Sequence, residues 1–236
     1  MRTRGRLCFI VAIALALAAC RSQPHFTTDA LPRHDGGLSL LLMPIDLELM
    51  EVAPGGLIEP KADWTQTAAT NMTDVVRALV SERQGELVFY NPPADDPARA
   101  HLHDQLIKLH ETVADSILAH QYEAHYKLPG KSDRLDWSLG PSVALLRHEF
   151  GADYALFIYF RDSYKSLGRT AAMMTVPISF LGVGLASGAQ VGVASLVDLR
   201  NGDVVWFNRM VRTVGELRTP DGTRETMATL LESLPR

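Results

Sequence analysis

The sequence predicts an α/β (α+β) domain, in which helices cover a mixed β-sheet and a carboxy-terminal β-hairpin is followed by a final helix. Segments with strand character alternate with segments of helical periodicity along most of the chain. Near the carboxyl end, an Asn-Gly pair separates two runs rich in β-branched and aromatic residues, which indicates a hairpin. The predicted order is therefore β-α-β-α-α-β, then an apolar segment, then β-β-α.

The first half of the chain supplies two strands and two helices. Residues 38–50 begin as a continuous apolar run and then alternate, which is typical of a strand buried on both faces that emerges at one end. Helical spacing of apolar residues predicts a helix over residues 63–84, and residues 86–91 (ELVFYN) form a short strand. An acid before a proline then marks the start of a long amphipathic helix over residues 97–126.

The second half begins with a helix that Pro141 opens and Gly151 ends, since glycine readily adopts the left-handed conformation of a helix carboxyl terminus. Residues 152–160 (ADYALFIYF) are apolar and aromatic enough for a central strand. The Asn201-Gly202 pair between GVASLVDLR and DVVWFNRMV predicts a type I′ turn, in which both central residues have positive φ. Thr219-Pro220-Asp221-Gly222 then leads into the last helix.

The first twenty residues have the layout of a secretory signal. Three arginines precede an uncharged apolar run over residues 7–17, which is too short to span a hydrocarbon core of about 30 Å. The run ends in Leu17-Ala18-Ala19-Cys20, which resembles the lipobox of bacterial lipoproteins. This resemblance implies cleavage between Ala19 and Cys20 and acyl chains such as palmitate on the cysteine. We therefore expect a signal peptide over residues 1–19, a lipidated tether over residues 20–37 and a single α/β domain over residues 38–236.

Cysteine content and charge limit the classes of function. Cys8 leaves with the signal and Cys20 carries lipid, so the mature chain is expected to have no disulfide and no thiolate zinc site. The alternative is an ordinary signal cut elsewhere, with Cys20 left as a free thiol. Without the three signal arginines the chain has 20 basic and 27 acidic residues, which argues against nucleic acid as a partner. Residue 21 is Arg and not the Asp that retains lipoproteins in the inner membrane of enteric-type bacteria, which favours the outer membrane.

No charged side chain occurs between Thr170 and Val197, and three interpretations of this segment are open. It is long enough for a transmembrane helix, in which Gly184, Gly188 and Gly192 would allow close helix packing. Gly182-Val183-Gly184 also resembles the start of a dinucleotide-binding loop. The third interpretation, a buried or membrane-facing loop or short helix, fits best because the segment runs directly into the hairpin. In one form of it, the segment pairs with neighbouring copies or inserts in lipid on assembly.

Catalytic chemistry has little support in the sequence. The predicted long helix carries five histidines, but none of them lie three or four positions apart, as two metal ligands on a helix do. If a metal binds, His103, His110 and Glu111 are the first candidates. Ser187 lies in LASGA, which departs from the GxSxG motif of serine hydrolases. We therefore predict no catalytic residue, no metal and no cofactor.

Residues 161–169 (RDSYKSLGR) follow the predicted central strand and are rich in polar side chains. We interpret them as a loop that supplies a contact surface, with a plain solvated loop as the alternative. Asp46 and Asp198 also lie near strand ends, where turn chemistry explains them. The candidate contact residues are Arg161, Asp162, Tyr164, Lys165 and Arg169.

With its lipobox, the strand MPID, the run GADYALFIYF and the hairpin SLVDLRNGDVVW, the chain resembles a broad group of envelope lipoproteins. These have a compact α/β domain like that of the curli-secretion lipoprotein and of the amino-terminal domain of the Tol system's periplasmic protein. The resemblance implies assembly or export work through protein contacts, often by oligomerisation, without catalysis. The sequence departs from the secretion lipoprotein in lacking two clear amphipathic hairpins, which argues against a pore.

The expected function is that of a lipid-anchored, non-enzymatic binding or assembly protein that faces the periplasm. Its expected partners are membrane lipid, through acylated Cys20, one or more envelope proteins, and further copies of the same chain. Two rival functions are an oligomeric export component and an envelope hydrolase with a site near Asp162 or the histidine-rich helix.

Overall fold

The computed structural model describes residues 25–26, 38–53, 57–131, 134–165, 175–178, 183–186 and 190–235. These residues confirm the predicted α/β class: eight strands form one mixed sheet, two further strands pair separately, and four α-helices accompany them. The strands are β1 (His25–Phe26), β2 (Ser39–Leu42), β3 (Asp46–Val52), β4 (Ile58–Pro60), β5 (Glu86–Phe89), β6 (Tyr154–Lys165), β7 (Thr175–Ile178), β8 (Val183–Ala186), β9 (Gln190–Asp198) and β10 (Val204–Arg212). The helices are α1 (Ala62–Glu82), α2 (Pro97–Ile117), α3 (Ala144–Phe150) and α4 (Pro220–Leu230).

The main sheet has the order β1-β10-β9-β6-β2-β5, and β3 and β4 extend it beside the second half of β6. Side chains alternate between its two faces, so the central strands β2, β6, β9 and β10 each contribute to two hydrophobic clusters. Leu40 and Leu42 pack in one cluster with side chains of α1 and α4. Leu41 and Met43 pack in the other cluster with side chains of α2 and α3. The sheet is thus the middle layer of three.

The predicted first strand is divided in two at Pro44. Leu42 lies opposite Leu156, whereas Asp46 lies opposite Tyr159, so β2 and β3 follow β6 with one extra residue between them. Proline lacks the N–H that a strand donates to its neighbour, so pairing is interrupted at Pro44. The extra residue forms a β-bulge, which reverses the face of the sheet to which each following side chain points. Leu47 and Leu49 therefore enter the same cluster as β2's Leu40 and Leu42.

Local signals placed the ends of several helices correctly. The Asp96 side chain accepts the Arg99 N–H at 3.0 Å and caps α2, and Gly151 ends α3 with a φ of 70°. The Thr219 hydroxyl likewise caps α4 by accepting the Gly222 N–H. The prediction that α2 continues to residue 126 was wrong, because the helix changes to a π-turn over Leu118–Tyr122 and then a short 3-10 turn.

The carboxy-terminal hairpin is present, but its turn is not type I′. Gly202 has a φ of 88°, whereas Asn201 has no positive φ. The Asn201 side chain instead accepts the Asp203 N–H at 3.0 Å, and the Gly202 N–H donates to the Asp198 carbonyl at 2.8 Å. These bonds build a wider loop that needs glycine at one position alone.

Three segments differ from their predicted structures. Residues 161–165, predicted as a loop, continue β6 as a strand. His25 and Phe26, predicted as part of a tether, pair with Phe207 and Trp206 at the edge of β10. Within the uncharged segment, β7 and β8 pair as antiparallel strands. For these eight residues the transmembrane-helix and dinucleotide-loop interpretations are therefore wrong, and so is the favoured interpretation as a loop or short helix. Among the described residues, no helix is both long and apolar enough to cross a bilayer.

We expect Gly192→Ala to destabilise the fold by about 1–3 kcal/mol, because a Cβ there would lie 2.6 Å from the buried ring of Phe160. Gly130→Ala is the matched control, since no heavy atom lies within 4 Å of its added Cβ. Urea unfolding of the mature chain carrying Cys20→Ser measures both. Equal free energies of unfolding for the two variants would contradict this packing.

Candidate interaction site at the Lys165 end of the sheet

The most concentrated set of buried polar side chains lies at one end of the sheet. β6 ends there at Lys165, β10 ends at Arg212, and β9 begins at Gln190. We call this the Lys165 end. The opposite end, where β9 turns into β10, is called the hairpin end.

Asp162 is the centre of this set. Phe160, Asp162 and Tyr164 alternate along β6 onto the face covered by α1 and α4, which leaves the carboxylate 1% exposed. The Gln190 Nε2 donates to Asp162 Oδ2 at 2.6 Å, and Tyr164 also forms a hydrogen bond with this carboxylate. Burial nevertheless dominates and raises the pKa of Asp162 to about 6.

Tyr164 connects this carboxylate to the loop before α4. The Leu217 N–H donates to Tyr164 Oη at 2.9 Å, so the phenol accepts from the loop and is free to donate its own proton to Asp162. Burial and the neighbouring Asp162 raise the pKa of Tyr164 well above its ordinary value. The strand, the loop and β9's Gln190 are therefore held by one continuous hydrogen-bonded chain.

Arg218 covers the outer side of Tyr164. Its guanidinium carbon lies 4.2 Å from the centre of the Tyr164 ring and 4.7 Å from that of Trp64, and its Nε donates to Glu216 at 2.6 Å. The hydrogen bonds from Arg218 lower the pKa of Glu216. Cation–π contacts and an ion pair thus fix a half-buried arginine over the buried network.

Among the predicted contact residues, the described side chains of Arg161, Asp162 and Tyr164 do not share one face of the sheet. Arg161 points to the face opposite Asp162, where it pairs with Asp46 at 2.8 Å and stacks over Tyr159. Asp162 is buried, and Tyr164 is largely covered. The backbone of Lys165 ends β6, and Arg169, Ser187, Ala19 and Cys20 lie outside the described residues.

The histidines proposed as metal ligands lie far apart. His103 Nε2 faces Glu149 Oε2 at 3.0 Å, whereas His110 Nε2 bonds with Ser195 Oγ at 2.6 Å. Two helical turns separate the two rings, and Glu111 faces solvent. Over the described residues, no cluster of three or more His, Cys, Asp or Glu side chains forms a cation site.

The bond between His110 and Ser195 has the composition of a nucleophile and its base, but its setting is that of a core contact. Ser195 is 1% exposed, and the His110 ring stacks on Phe157 at 3.7 Å. Burial lowers the pKa of His110 to about 3, so the ring is neutral at physiological pH. The adjoining cavity of about 40 Å³ has room for little more than water.

Sequence reasoning missed most of the network around Asp162. Gln190, Glu216, Leu217 and Arg218 contact β6 from positions 28 or more residues further along the chain. Trp64 was predicted only as an apolar position of α1. No local spacing links these residues, and only the polar character of residues 161–165 pointed to this end of the sheet.

No family model matches the chain, and no curated protein matches its sequence. The fold defines a three-layer α/β domain, and several solved structures are similar to it. The PelC dodecamer from Paraburkholderia phytofirmans is 13% identical with a TM-score of 0.39, over 91% of this chain and 99% of that chain. The LpoB C-terminal domain from Salmonella enterica is 15% identical with a TM-score of 0.28, over 76% and 87%. The lipoprotein GNA1162 from Neisseria meningitidis is 17% identical with a TM-score of 0.27, over 73% and 81%.

We expect Asp162→Asn to become more stabilising, relative to the parent chain, as pH rises from 4 to 7. The carboxyl of Asp162 has a pKa of about 6 in the folded state and 3.8 in the unfolded state. Between pH 3.8 and 6 the folded state therefore binds more protons than the unfolded state, so the stability of the parent chain falls as pH rises. The change in the difference is about 3 kcal/mol over this window. Urea unfolding at both pH values measures it. Exposed Asp74→Asn is the control, and a pH-independent difference at Asp162 would contradict the pKa.

We expect Ser195→Ala to destabilise the fold by about 1–3 kcal/mol, because it leaves the buried His110 Nε2 without its partner. Ser116→Ala on the exposed side of α2 is the control and changes stability by less than about 0.5 kcal/mol. Thermal unfolding near pH 7 measures both, and similar effects would contradict a buried role for the Ser195 bond.

Proposed function

We propose that the protein is a lipid-anchored, non-catalytic binding or assembly protein of the bacterial cell envelope. Acyl chains on Cys20 hold it at the outer membrane, and the α/β domain faces the periplasm. The observation that carries the proposal is Leu17-Ala18-Ala19-Cys20 at the end of a short uncharged run after three arginines. Two or three acyl chains anchor a domain firmly, since each buried CH₂ contributes about 0.8 kcal/mol.

The hydrophobic core of the domain suits an exported protein that does not depend on disulfide bonds for stability. Two hydrophobic clusters, one on each face of the sheet, form its core. Both cysteines of the chain lie in its first twenty residues, so the described domain is built without thiol chemistry. Such a core suits a chain of about 215 mature residues.

The non-catalytic part of the proposal is supported by how the polar side chains are used. Asp162 is held by Gln190 and Tyr164, His110 by Ser195, and Arg218 by Glu216. Each of these groups already bonds with another side chain of the domain and is buried or half-buried. Binding through the surface is therefore favoured over chemistry at an open cleft.

An oligomeric export component is the second candidate, and the edges of the sheet favour it. Within the described part of the chain, β1 pairs with two residues of the nine-residue strand β10, and β5 ends the sheet on the other side. Open edges of this kind accept a further strand, including one from another copy. Crosslinking of native membranes would then give a ladder of homo-oligomers.

We expect Cys20→Ser to abolish incorporation of labelled palmitate and to leave uncleaved or unanchored chain. Cys8→Ser is the matched control, because Cys8 lies within the segment that cleavage removes. Labelling, density fractionation of membranes and mass spectrometry of the mature amino terminus measure these outcomes. Labelling retained in Cys20→Ser would contradict the anchor.

The non-catalytic assignment is tested separately on the purified lipoprotein. We expect affinity capture from detergent-solubilised envelopes to retain an envelope protein or further copies of the chain. A stoichiometric bound metal would contradict the assignment. So would a hydrolytic activity on envelope material that Asp162→Asn removes while the fold is retained.

A further inference from the structure

The direction of β1 indicates which end of the sheet the lipid anchor approaches. β1 runs antiparallel to β10, with His25 opposite Phe207 and Phe26 opposite Trp206. Residues before His25 therefore leave β1 in the direction in which β10 ascends in number, toward Arg212. That is the Lys165 end.

The reach of the chain agrees with this direction. Cys20 precedes His25 by five residues, which span at most about 18 Å. Phe207 precedes Arg212 by the same number, about 17 Å along a strand. A tether of this length is therefore long enough for the lipidated residue to lie level with the last residue of β10.

Exposed apolar side chains mark the same end. Leu57 is 64% exposed just before β4, beside the end of β3, while Val211 is 50% and Val214 67% exposed at and after the end of β10. β4 and β10 are separated by β3, β6 and β9, which corresponds to about 19 Å across the sheet. The three side chains are therefore spread over a width that suits a flat partner and not a small ligand.

Most of the chain between β6 and β9 also lacks charge. β6 ends at Lys165 and β9 begins at Gln190; Arg169 is the one charged residue between them, and none occurs between Thr170 and Val197. The described strands of this excursion, β7 and β8, consist of apolar residues and one threonine.

Lys61 and Arg212, two described basic residues at the Lys165 end, are paired with carboxylates, which favours apolar over electrostatic contact. Lys61 pairs with Glu51 and Glu59, and Arg212 pairs with Glu225. At the hairpin end, exposed residues include Arg147, which pairs with Asp153, and Asn201, which bonds to Asp203. The Lys165 end combines exposed apolar side chains with the approach of the anchor.

We propose that the Lys165 end of the sheet rests on the lipid surface, with Leu57, Val211 and Val214 at the interface and the hairpin end directed away from the membrane. This inference rests on the proposed anchoring of Cys20. Exposed apolar patches rimmed by polar residues are typical of membrane or protein contacts. We favour the membrane because a tether of five residues keeps this end of the domain close to the lipid anchor. The hairpin end is then the part of the domain presented to the periplasm.

Site-directed fluorescence quenching tests the orientation in the lipidated protein. Val214→Cys and, as control, Leu102→Cys on α2 and Asn201→Cys at the hairpin end are each labelled with an environment-sensitive fluorophore. Each protein is reconstituted in vesicles of phosphatidylethanolamine and phosphatidylglycerol that contain a nitroxide lipid. We expect several-fold stronger quenching at position 214 than at positions 102 and 201. Equal quenching at the three positions, or stronger quenching at 201, would overturn the orientation.

A second variant tests the apolar contact itself. Leu57→Asp with Val211→Asp is expected to reduce quenching at position 214, whereas Leu102→Asp, an exposed apolar position on α2, is expected to leave it unchanged. If the double variant and the Leu102→Asp variant both lost quenching at position 214, a specific contact of Leu57 and Val211 with lipid would be contradicted.

Failure of the anchor is read out independently, because acylated Cys20 is blocked and free Cys20 takes up the fluorophore. Two labels per chain in the Val214→Cys protein would refute the proposed function, whereas one label with uniform quenching refutes the orientation alone.

Discussion

Pairing along β6 is the constraint on which the rest of the molecule depends. This strand lies between β9 on one side and β2 followed by β3 on the other, so it joins the two halves of the chain. Its alternation assigns Leu156 and Phe160 to the α1 and α4 cluster and Phe157 to the α2 and α3 cluster. The hydrogen bond between Asp162 and Gln190 fixes the last paired position of β6 and β9. A polar contact thus lies at the last described pair between these two strands, while β6 continues beside β3 to Lys165.

The sequence correctly predicts those features that depend on residues close together along the chain. Helix caps at Asp96, Gly151 and Thr219 depend on side chains within three or four positions, and all three are as expected. The length of β6 was missed because its polar residues resemble a loop until Gln190, Tyr164 and a distant loop satisfy them. The candidate site was located only approximately for the same reason: its members come together through tertiary pairing, which no local spacing records.

At the Lys165 end, Asp162, Gln190 and Tyr164 bond to one another, while Leu57, Val211 and Val214 are exposed. Such a division suits a domain whose contacts are made by shape and surface rather than by chemistry in a cleft. In the proposed orientation, lipid on Cys20, a first strand five residues later and exposed Val214 would be parts of one arrangement. It would present a fixed side of the domain to the periplasm, whereas a long linker would let the domain tumble.

The break at Pro44 has a consequence for how this chain tolerates changes in length. Because the extra residue reverses the phase of the pleat, even-numbered Leu40 and Leu42 of β2 and odd-numbered Leu47 and Leu49 of β3 face the same cluster, although both strands follow the same neighbour. Loss of one residue between them would restore uniform pairing and turn Leu47 and Leu49 outward while Asp46 and Glu48 turned inward. Related sequences are therefore expected to conserve the spacing across this proline more strictly than the residue types on either side.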